Sequence, residues 1–163
     1  MTVRRVALGA AVLLTALLLQ GVLAGLPGPT PDLLLLAVVA FALAEGPASG
    51  SLTGFLAGLL VDVGADHELG RVALAYAVAG HVAGLVRPGP DRSRLLPLAV
   101  VAGAGAIAVT AYAGQGVLLD DPRVSVAAWA GGLAATVVGC VVLAPLVLPA
   151  VGALVRRLER DAW

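Results

Sequence analysis

The segment EGPASGSLTGFLAGLLVD, residues 45–62, decides the fold of this chain. Its glycines recur at every fourth position, at Gly46, Gly50, Gly54 and Gly58, and Asp62 takes the next place in the series. Four residues advance a helix by slightly more than one turn, so these positions form one narrow stripe. Bulky apolar residues occupy the opposite side of the helix: Leu52, Phe55, Leu56 and Leu59. Such a stripe lets two helix backbones approach closely in lipid, which predicts a packing face that ends in a carboxylate.

The composition indicates an integral membrane protein. Of the 163 residues, 60% are hydrophobic and 12% are charged, and the mean hydropathy is +1.03. A soluble domain carries about 25% charged residues. The formal net charge is zero, so no basic excess points to a nucleic-acid partner. Cys140 is the only cysteine, which excludes an internal disulfide and argues against a zinc site.

We predict an all-α integral membrane protein in which residues 1–163 form a single transmembrane domain. The compact bundle should contain about six transmembrane helices, near residues 6–26, 33–44, 48–62, 72–86, 95–119 and 124–155. The second and third are short for a full crossing, which needs about 17–25 residues. They form either two short crossings, which we favour, or one re-entrant hairpin buried against protein. Pro145 and Pro149 should kink the last helix or end it early.

Capping patterns predict where two of these helices begin. Thr30 is placed to cap the second helix, with Pro31 at its first position and Asp32 complementing its positive end. Asp121 is placed to cap the last helix, with Pro122 at its start.

The distribution of arginine predicts the orientation, because cytoplasmic loops carry an excess of basic residues. With a cytoplasmic N-terminus, the outer loops hold only Arg71 and Arg123. The other eight arginines lie on the inner side: Arg4, Arg5, Arg87, Arg92, Arg94, Arg156, Arg157 and Arg160. The N- and C-termini are therefore both expected in the cytoplasm. A re-entrant hairpin, with four crossings instead of six, would leave this orientation unchanged.

The candidate site residues are those expected to contact a partner or a neighbouring helix: Gly50, Gly54, Phe55, Gly58, Asp62, Tyr76, Gly80 and Gly84. Asp62 either makes a partner or structural contact, ends its helix in solvent, or takes part in ion or proton transfer. Tyr76, Gly80 and Gly84 repeat the four-residue step and predict a second close-packing face. His81 is expected to be a neutral side chain bonded to a neighbouring helix, with a proton relay as the alternative.

The remaining polar residues do not indicate an enzyme. Asp66, His67 and Glu68 are consecutive, and adjacent residues seldom share one coordination sphere, so we expect a solvated loop rather than a metal site. No serine stands in a nucleophile elbow. No phosphate-binding loop that ends in lysine is present, since the chain contains no lysine. We predict no catalytic, cofactor or metal site.

Three sequence segments, taken together, resemble the bacterial rod-shape-determining protein MreD family. The first is Pro31-Asp32 followed by the leucines of residues 33–36. The second runs from Gly50 through Gly54-Phe55 and Gly58-Leu59 to Asp62, and the third is Leu69-Gly70 followed by Ala73-Leu74 and Tyr76. The match covers about residues 30–87, and Arg71 and Val72 depart from it at a junction where the family is more apolar.

The resemblance implies a non-enzymatic component of the cell-wall elongation machinery in a bacterial inner membrane. Surrounded by membrane lipid, such a protein is thought to bind the single-span membrane protein MreC. It would help to connect MreB filaments to the synthase RodA and its class B penicillin-binding partner. The family also resembles in fold the substrate-binding subunits of energy-coupling-factor vitamin transporters, which supplies the alternative function.

These observations lead to three hypotheses about function. The favoured one is a scaffold whose glycine faces receive helices, either its own or a partner's. A transporter subunit would instead need an enclosed cavity with a few convergent polar groups. The third is an ion or proton channel that uses Asp62 and His81.

Overall fold

A computed structural model of the chain describes residues 3–25, 30–65, 68–86 and 95–160, and these residues are almost entirely helical. Six helices follow one another: α1 (Val3–Ala24), α2 (Leu33–Glu45), α3 (Pro47–Val63), α4 (Arg71–Leu85), α5 (Leu96–Leu118) and α6 (Val126–Arg160). The prediction of an all-α fold is therefore confirmed for the described part of the chain.

Three of the helices are long and apolar enough to cross a membrane, namely α1, α5 and α6. They indicate a membrane-associated protein. The other three have 13, 17 and 15 residues. At about 1.5 Å per residue they reach only about 20–26 Å, less than the hydrocarbon core of about 30 Å. Six crossings and cytoplasmic termini stay predictions.

Helix α2 is the centre of the bundle. It contacts every other helix, and its side chains from Leu34 to Val39 are almost completely enclosed. A helix that is apolar on all sides is expected in such an interior position. The remaining helices surround α2, and the most extensive contact between any two of them is that of α3 with α4.

Glycines with positive φ set the two ends of the α3–α4 pair. Gly46, with φ of 98°, separates α2 from α3, and its N–H donates to the Ala42 carbonyl at 2.8 Å. Pro47 then occupies the first turn of α3, where its missing N–H costs no hydrogen bond. Gly70, with φ of 100°, immediately precedes α4. Both values lie in the region where a side chain would be strained.

α2 begins at Leu33, as predicted, but both predicted capping residues need correction. Asp32, not Thr30, caps α2, because its Oδ1 accepts from the Leu35 N–H at 3.0 Å. Ser125 rather than Asp121 takes the capping role at α6, where its Oγ accepts from the Ala128 N–H at 3.1 Å. The last helix thus starts later than predicted, and it also continues past both internal prolines, Pro145 and Pro149, to Arg160.

Some predictions fall on parts of the chain that the structure leaves out. Most of the turn before α2, residues 26–29, lies outside the described residues, as does the basic loop from Arg87 to Arg94. The orientation that these arginines predict stays a prediction.

Candidate functional site

The glycines of α3 and α4 bring the two helix backbones into direct contact. A Cβ atom added to any of these glycines would overlap backbone atoms of the facing helix or of the segment beside it. The contacts pair Gly50 with Gly80, Gly54 with Tyr76, Gly58 with Ala73, and Gly84 with Pro47. The stripe on α3 and the four-residue step on α4 therefore pack against each other within one chain.

Asp62 lies at the end of this interface and is 1% exposed. Its Oδ2 accepts from the N–H groups of Gly70 at 2.9 Å and Ala73 at 3.1 Å, and its Oδ1 accepts from the Val72 N–H at 3.1 Å. A helix N-terminus leaves such N–H groups without acceptors inside its own helix. Asp62 therefore caps α4 from the end of α3, and the interpretation of a solvated helix end is wrong.

Asp32 and Tyr76 form a second polar contact at the same end of the bundle. The Tyr76 hydroxyl donates to Asp32 Oδ2, and Tyr76 is only 6% exposed. The Cys140 thiol donates to the Asp32 backbone carbonyl at 3.4 Å. Residues from α4 and α6 therefore hold the beginning of α2, which places Tyr76 in a polar contact that the sequence analysis did not predict.

Arg71 is the buried polar residue that the sequence analysis did not single out, since it was placed in an outer loop. It is 3% exposed, and its Nη1 donates to Asp121 Oδ2 at 2.7 Å and to Glu68 Oε2 at 3.1 Å. Its guanidinium lies 4.4 Å from the centre of the Tyr112 ring, which is the distance of a cation–π contact. An arginine at a helix N-terminus is unfavourable with the helix dipole, and that mismatch could have signalled a buried acidic partner.

The contacts of Arg71 join the α3–α4 connection to the α5–α6 connection. The hydrogen bond that Arg71 donates holds the pKa of the Asp121 carboxyl below the ordinary value of 3.8. The backbone carbonyl of Arg71 also accepts from Gln115 Nε2 on α5, at 3.2 Å. We call the region around Asp32, Asp62, Arg71 and Asp121 the polar end of the bundle.

His81 lies on the exposed side of the α3–α4 pair, away from these carboxylates. One of its ring nitrogens, Nδ1, lies 3.0 Å from the Ser51 hydroxyl of α3. It thus bonds a neighbouring helix, as the packing interpretation requires. Asp66 and His67, which were weighed as metal ligands, lie outside the described residues. Among the residues that are described, no three His, Cys, Asp or Glu side chains cluster as a metal site would need.

Phe55 points away from the glycine contacts and is 47% exposed. Its neighbours Leu52 and Leu56 are exposed to a similar extent. Beside them, a groove of about 500 Å³ runs between α1 and α3, with Gly9 and Leu13 on one wall and Leu52 and Leu56 on the other. We call this the α1–α3 groove.

A cavity of about 300 Å³ lies at the polar end, among α4, α5 and α6. Asp32 and Tyr76 line one part of it, and Tyr112, Arg123 and Trp129 line another. We call this the polar-end cavity. It differs from the α1–α3 groove because side chains of opposite charge, Asp32 and Arg123, both line it.

Comparison with known proteins adds no assignment to this geometry: no family model, no curated protein and no solved structure matches the chain.

Proposed function

We propose that this chain is a non-enzymatic scaffold of the bacterial cell-wall elongation machinery, of the MreD type. It acts in the inner membrane, which it crosses six times with both termini in the cytoplasm. It binds an MreC-like single-span protein through helix–helix contacts. Through that complex it connects MreB filaments with RodA and its class B penicillin-binding partner.

The observation that carries the proposal is the way the three MreD-like segments meet. Asp32 of the first segment accepts a hydrogen bond from Tyr76 of the third. Gly54 of the second lies against the backbone of Tyr76, and Asp62 of the second accepts from Gly70 of the third. Residues separated by up to 44 positions thus form one contact network. Shared packing explains why these residue types stand in this order and spacing.

The same network supports a scaffold rather than a channel. Asp62 and His81 were the residues on which the channel hypothesis depended. Asp62 is enclosed by three backbone N–H groups, and His81 lies next to Ser51 on the outer side of the helix pair. A proton path needs titratable groups that follow one another through the membrane. These two residues instead serve separate contacts between helices.

The α1–α3 groove is the surface that we assign to the MreC-like helix. The glycine stripe is occupied by α4, so a partner has to bind elsewhere. The groove is largely apolar, Leu52 and Leu56 form part of its α3 wall, and Phe55 is exposed on the same helix. Helices associate in lipid by close van der Waals packing, for which a groove between two helices offers more contact than a single convex helix.

Filling the groove tests this assignment. Gly9 lines the groove, and Gly21 lies on the same helix away from it; a Cβ atom added to either would contact nothing within 4 Å. Gly9→Leu should lower recovery of the MreC-like protein in detergent co-purification by about tenfold, because the leucine side chain would fill the groove in which the partner helix packs. Gly21→Leu should leave recovery unchanged. Phe55→Ala should also lower recovery of the MreC-like protein. Its control is Leu74→Ala, which removes an exposed apolar side chain from α4 and should leave recovery unchanged.

The outcomes separate the surface from the function. If the unaltered protein recovers no MreC-like partner and does not restore rod shape in a strain that lacks MreD, the proposed function is wrong. If it does both and Gly9→Leu behaves like Gly21→Leu, the function stands and the groove is not the interface.

The alternative function, a substrate-binding subunit of an energy-coupling-factor type vitamin transporter, has one observation in its favour. The polar-end cavity combines apolar walls with a few polar side chains, as small-molecule sites do. Thermal stabilisation of the purified protein by one vitamin would favour this function over the scaffold.

A further inference from the structure

The polar-end cavity brings together groups of opposite charge and two aromatic walls. We propose that it binds a small zwitterionic molecule with a flat apolar body between a cationic and an anionic group. This inference goes beyond the scaffold function and does not depend on it. It rests on four side chains that four different elements contribute: Asp32, Tyr112, Arg123 and Trp129.

Asp32 supplies the anionic side of the site. Its carboxylate is held by the Leu35 N–H at 3.0 Å, by the Tyr76 hydroxyl and by the Leu34 N–H. A carboxylate offers about four lone-pair positions, so these bonds fix its orientation and leave capacity for one further donor. In an apolar cavity the strongest such donor is a cationic N–H group.

Arg123 supplies the cationic side, from the connection between α5 and α6. The side chain is 70% exposed, and its Nε lies 3.8 Å from Asp121 Oδ1. This ion pair engages only part of the planar guanidinium, whose five donors suit carboxylates and phosphates. An anionic group of a ligand would therefore be held on this side of the cavity.

Tyr112 and Trp129 supply flat walls between the two charges. The Tyr112 ring is fixed by the guanidinium of Arg71, 4.4 Å from its centre. The Trp129 indole is oriented because its Nε1 donates to Thr110 Oγ1 at 3.3 Å. Rings held in place by polar contacts favour a flat or aromatic ligand by stacking and edge-to-face contact.

Trp129 also provides the measurement, because the chain has only two tryptophans. In a Trp163→Phe background, excitation of tryptophan reports on Trp129 alone. The probe is 4-(aminomethyl)benzoate, in which a ring separates an ammonium from a carboxylate. Benzylamine, which lacks the carboxylate, and 4-methylbenzoate, which lacks the ammonium, are its matched controls. The full chain is titrated with each compound in detergent.

We expect a saturable change of Trp129 fluorescence, with affinity for the zwitterion about tenfold higher than for either control, as one charge-assisted contact gives. Asp32→Asn, which retains a capping side chain, should weaken binding of the probe and of benzylamine but not of 4-methylbenzoate. Arg123→Gln should weaken binding of the probe and of 4-methylbenzoate but not of benzylamine.

A steric variant keeps the test decisive if Asp32→Asn does not fold. Ala128 lines the cavity and is exposed, so Ala128→Leu should fill the space and abolish the response without disturbing the core. Ala134, an exposed alanine of α6 that lies away from the cavity, supplies the control Ala134→Leu. The proposal is overturned by equal affinity for the three compounds, by no saturable response, or by unchanged binding in Ala128→Leu.

Discussion

The three short helices and the three long helices of this bundle are held by different kinds of contact. In the short-helix unit, α2 to α4, backbones touch through glycine and a buried carboxylate caps one helix from another. In the long helices α1, α5 and α6, only a minority of the residues are fully buried in the bundle. The comparison teaches that a helix too short to span lipid alone depends on protein contacts, whereas a long apolar helix is stabilised by lipid itself.

The largest expected difference between the two regions comes from adding volume at glycine. Gly54→Leu forces a side chain into the Tyr76 backbone, whereas a Cβ atom added at Gly103 on α5 meets nothing within 4 Å. Overpacking costs about 1–3 kcal/mol and occasionally more, and a backbone cannot move aside as a side chain can, so we expect about 3 kcal/mol for Gly54→Leu. Gly103→Leu should change the free energy of unfolding by less than about 0.5 kcal/mol.

Thermal unfolding of both variants in the same detergent measures this difference. Equal midpoints for the two variants would show that the α3–α4 backbone contact does not stabilise the short-helix unit.

The glycine contact could largely be predicted from the sequence, since a four-residue step is a local pattern that one helix displays by itself. The sequence also predicted a new helix from about residue 48, and α3 begins at Pro47. What it left open was which helix fills the stripe. A four-residue step on α4 fits the stripe, but so would the helix of a partner, and sequence spacing does not distinguish them.

Removing the cap of α4 should have the next largest effect. Asp62→Ala leaves three N–H groups without their acceptor, and a lost buried acceptor costs about 1–3 kcal/mol, so we expect about 2 kcal/mol. Asp62→Asn keeps one carbonyl oxygen and should cost about 1 kcal/mol. Hydrogen exchange at the amides of Gly70, Val72 and Ala73 should accelerate in Asp62→Ala.

Asp120 supplies the control for this cap, because it is exposed and lies in a left-handed conformation that asparagine also tolerates. Asp120→Asn should leave the exchange of all three amides unchanged. If Asp62→Ala also leaves the exchange of these amides unchanged, the carboxylate does not stabilise the start of α4.

The polar contacts of the candidate site were predicted less well than the helices, for a physical reason. Arg71 and Asp121 are 50 residues apart, and Asp32 and Tyr76 are 44 apart. Each residue has an ordinary local role: a loop arginine, a helix cap, or an apolar-face tyrosine. Which role applies depends on how the helices are arranged around α2. That arrangement comes from packing and leaves no periodic mark in the sequence.

The smallest expected effect concerns a hydrogen bond between the two regions, which Arg71 of the short-helix unit donates to Asp121 of the α5–α6 connection. This hydrogen bond lowers the pKa of Asp121 below 3.8 in the folded protein. A carboxyl with a lowered folded pKa stabilises the protein above its unfolded pKa and loses that contribution as the pH falls through the folded value. Stability should therefore be constant above about pH 5 and decrease below about pH 4.

Asp121→Asn removes the titrating group and should flatten this dependence, so that the thermal midpoint falls less between pH 6 and pH 3 than in the unaltered protein. Arg71→Gln should flatten it as well, since the cause of the lowered pKa is gone. Because each substitution breaks the same contact, the double variant should show little more than either single one. A dependence that survives in Asp121→Asn but disappears in Glu68→Gln would assign it to the other carboxylate that Arg71 contacts, within the short-helix unit, and the Arg71–Asp121 contact would then contribute nothing measurable between the two regions.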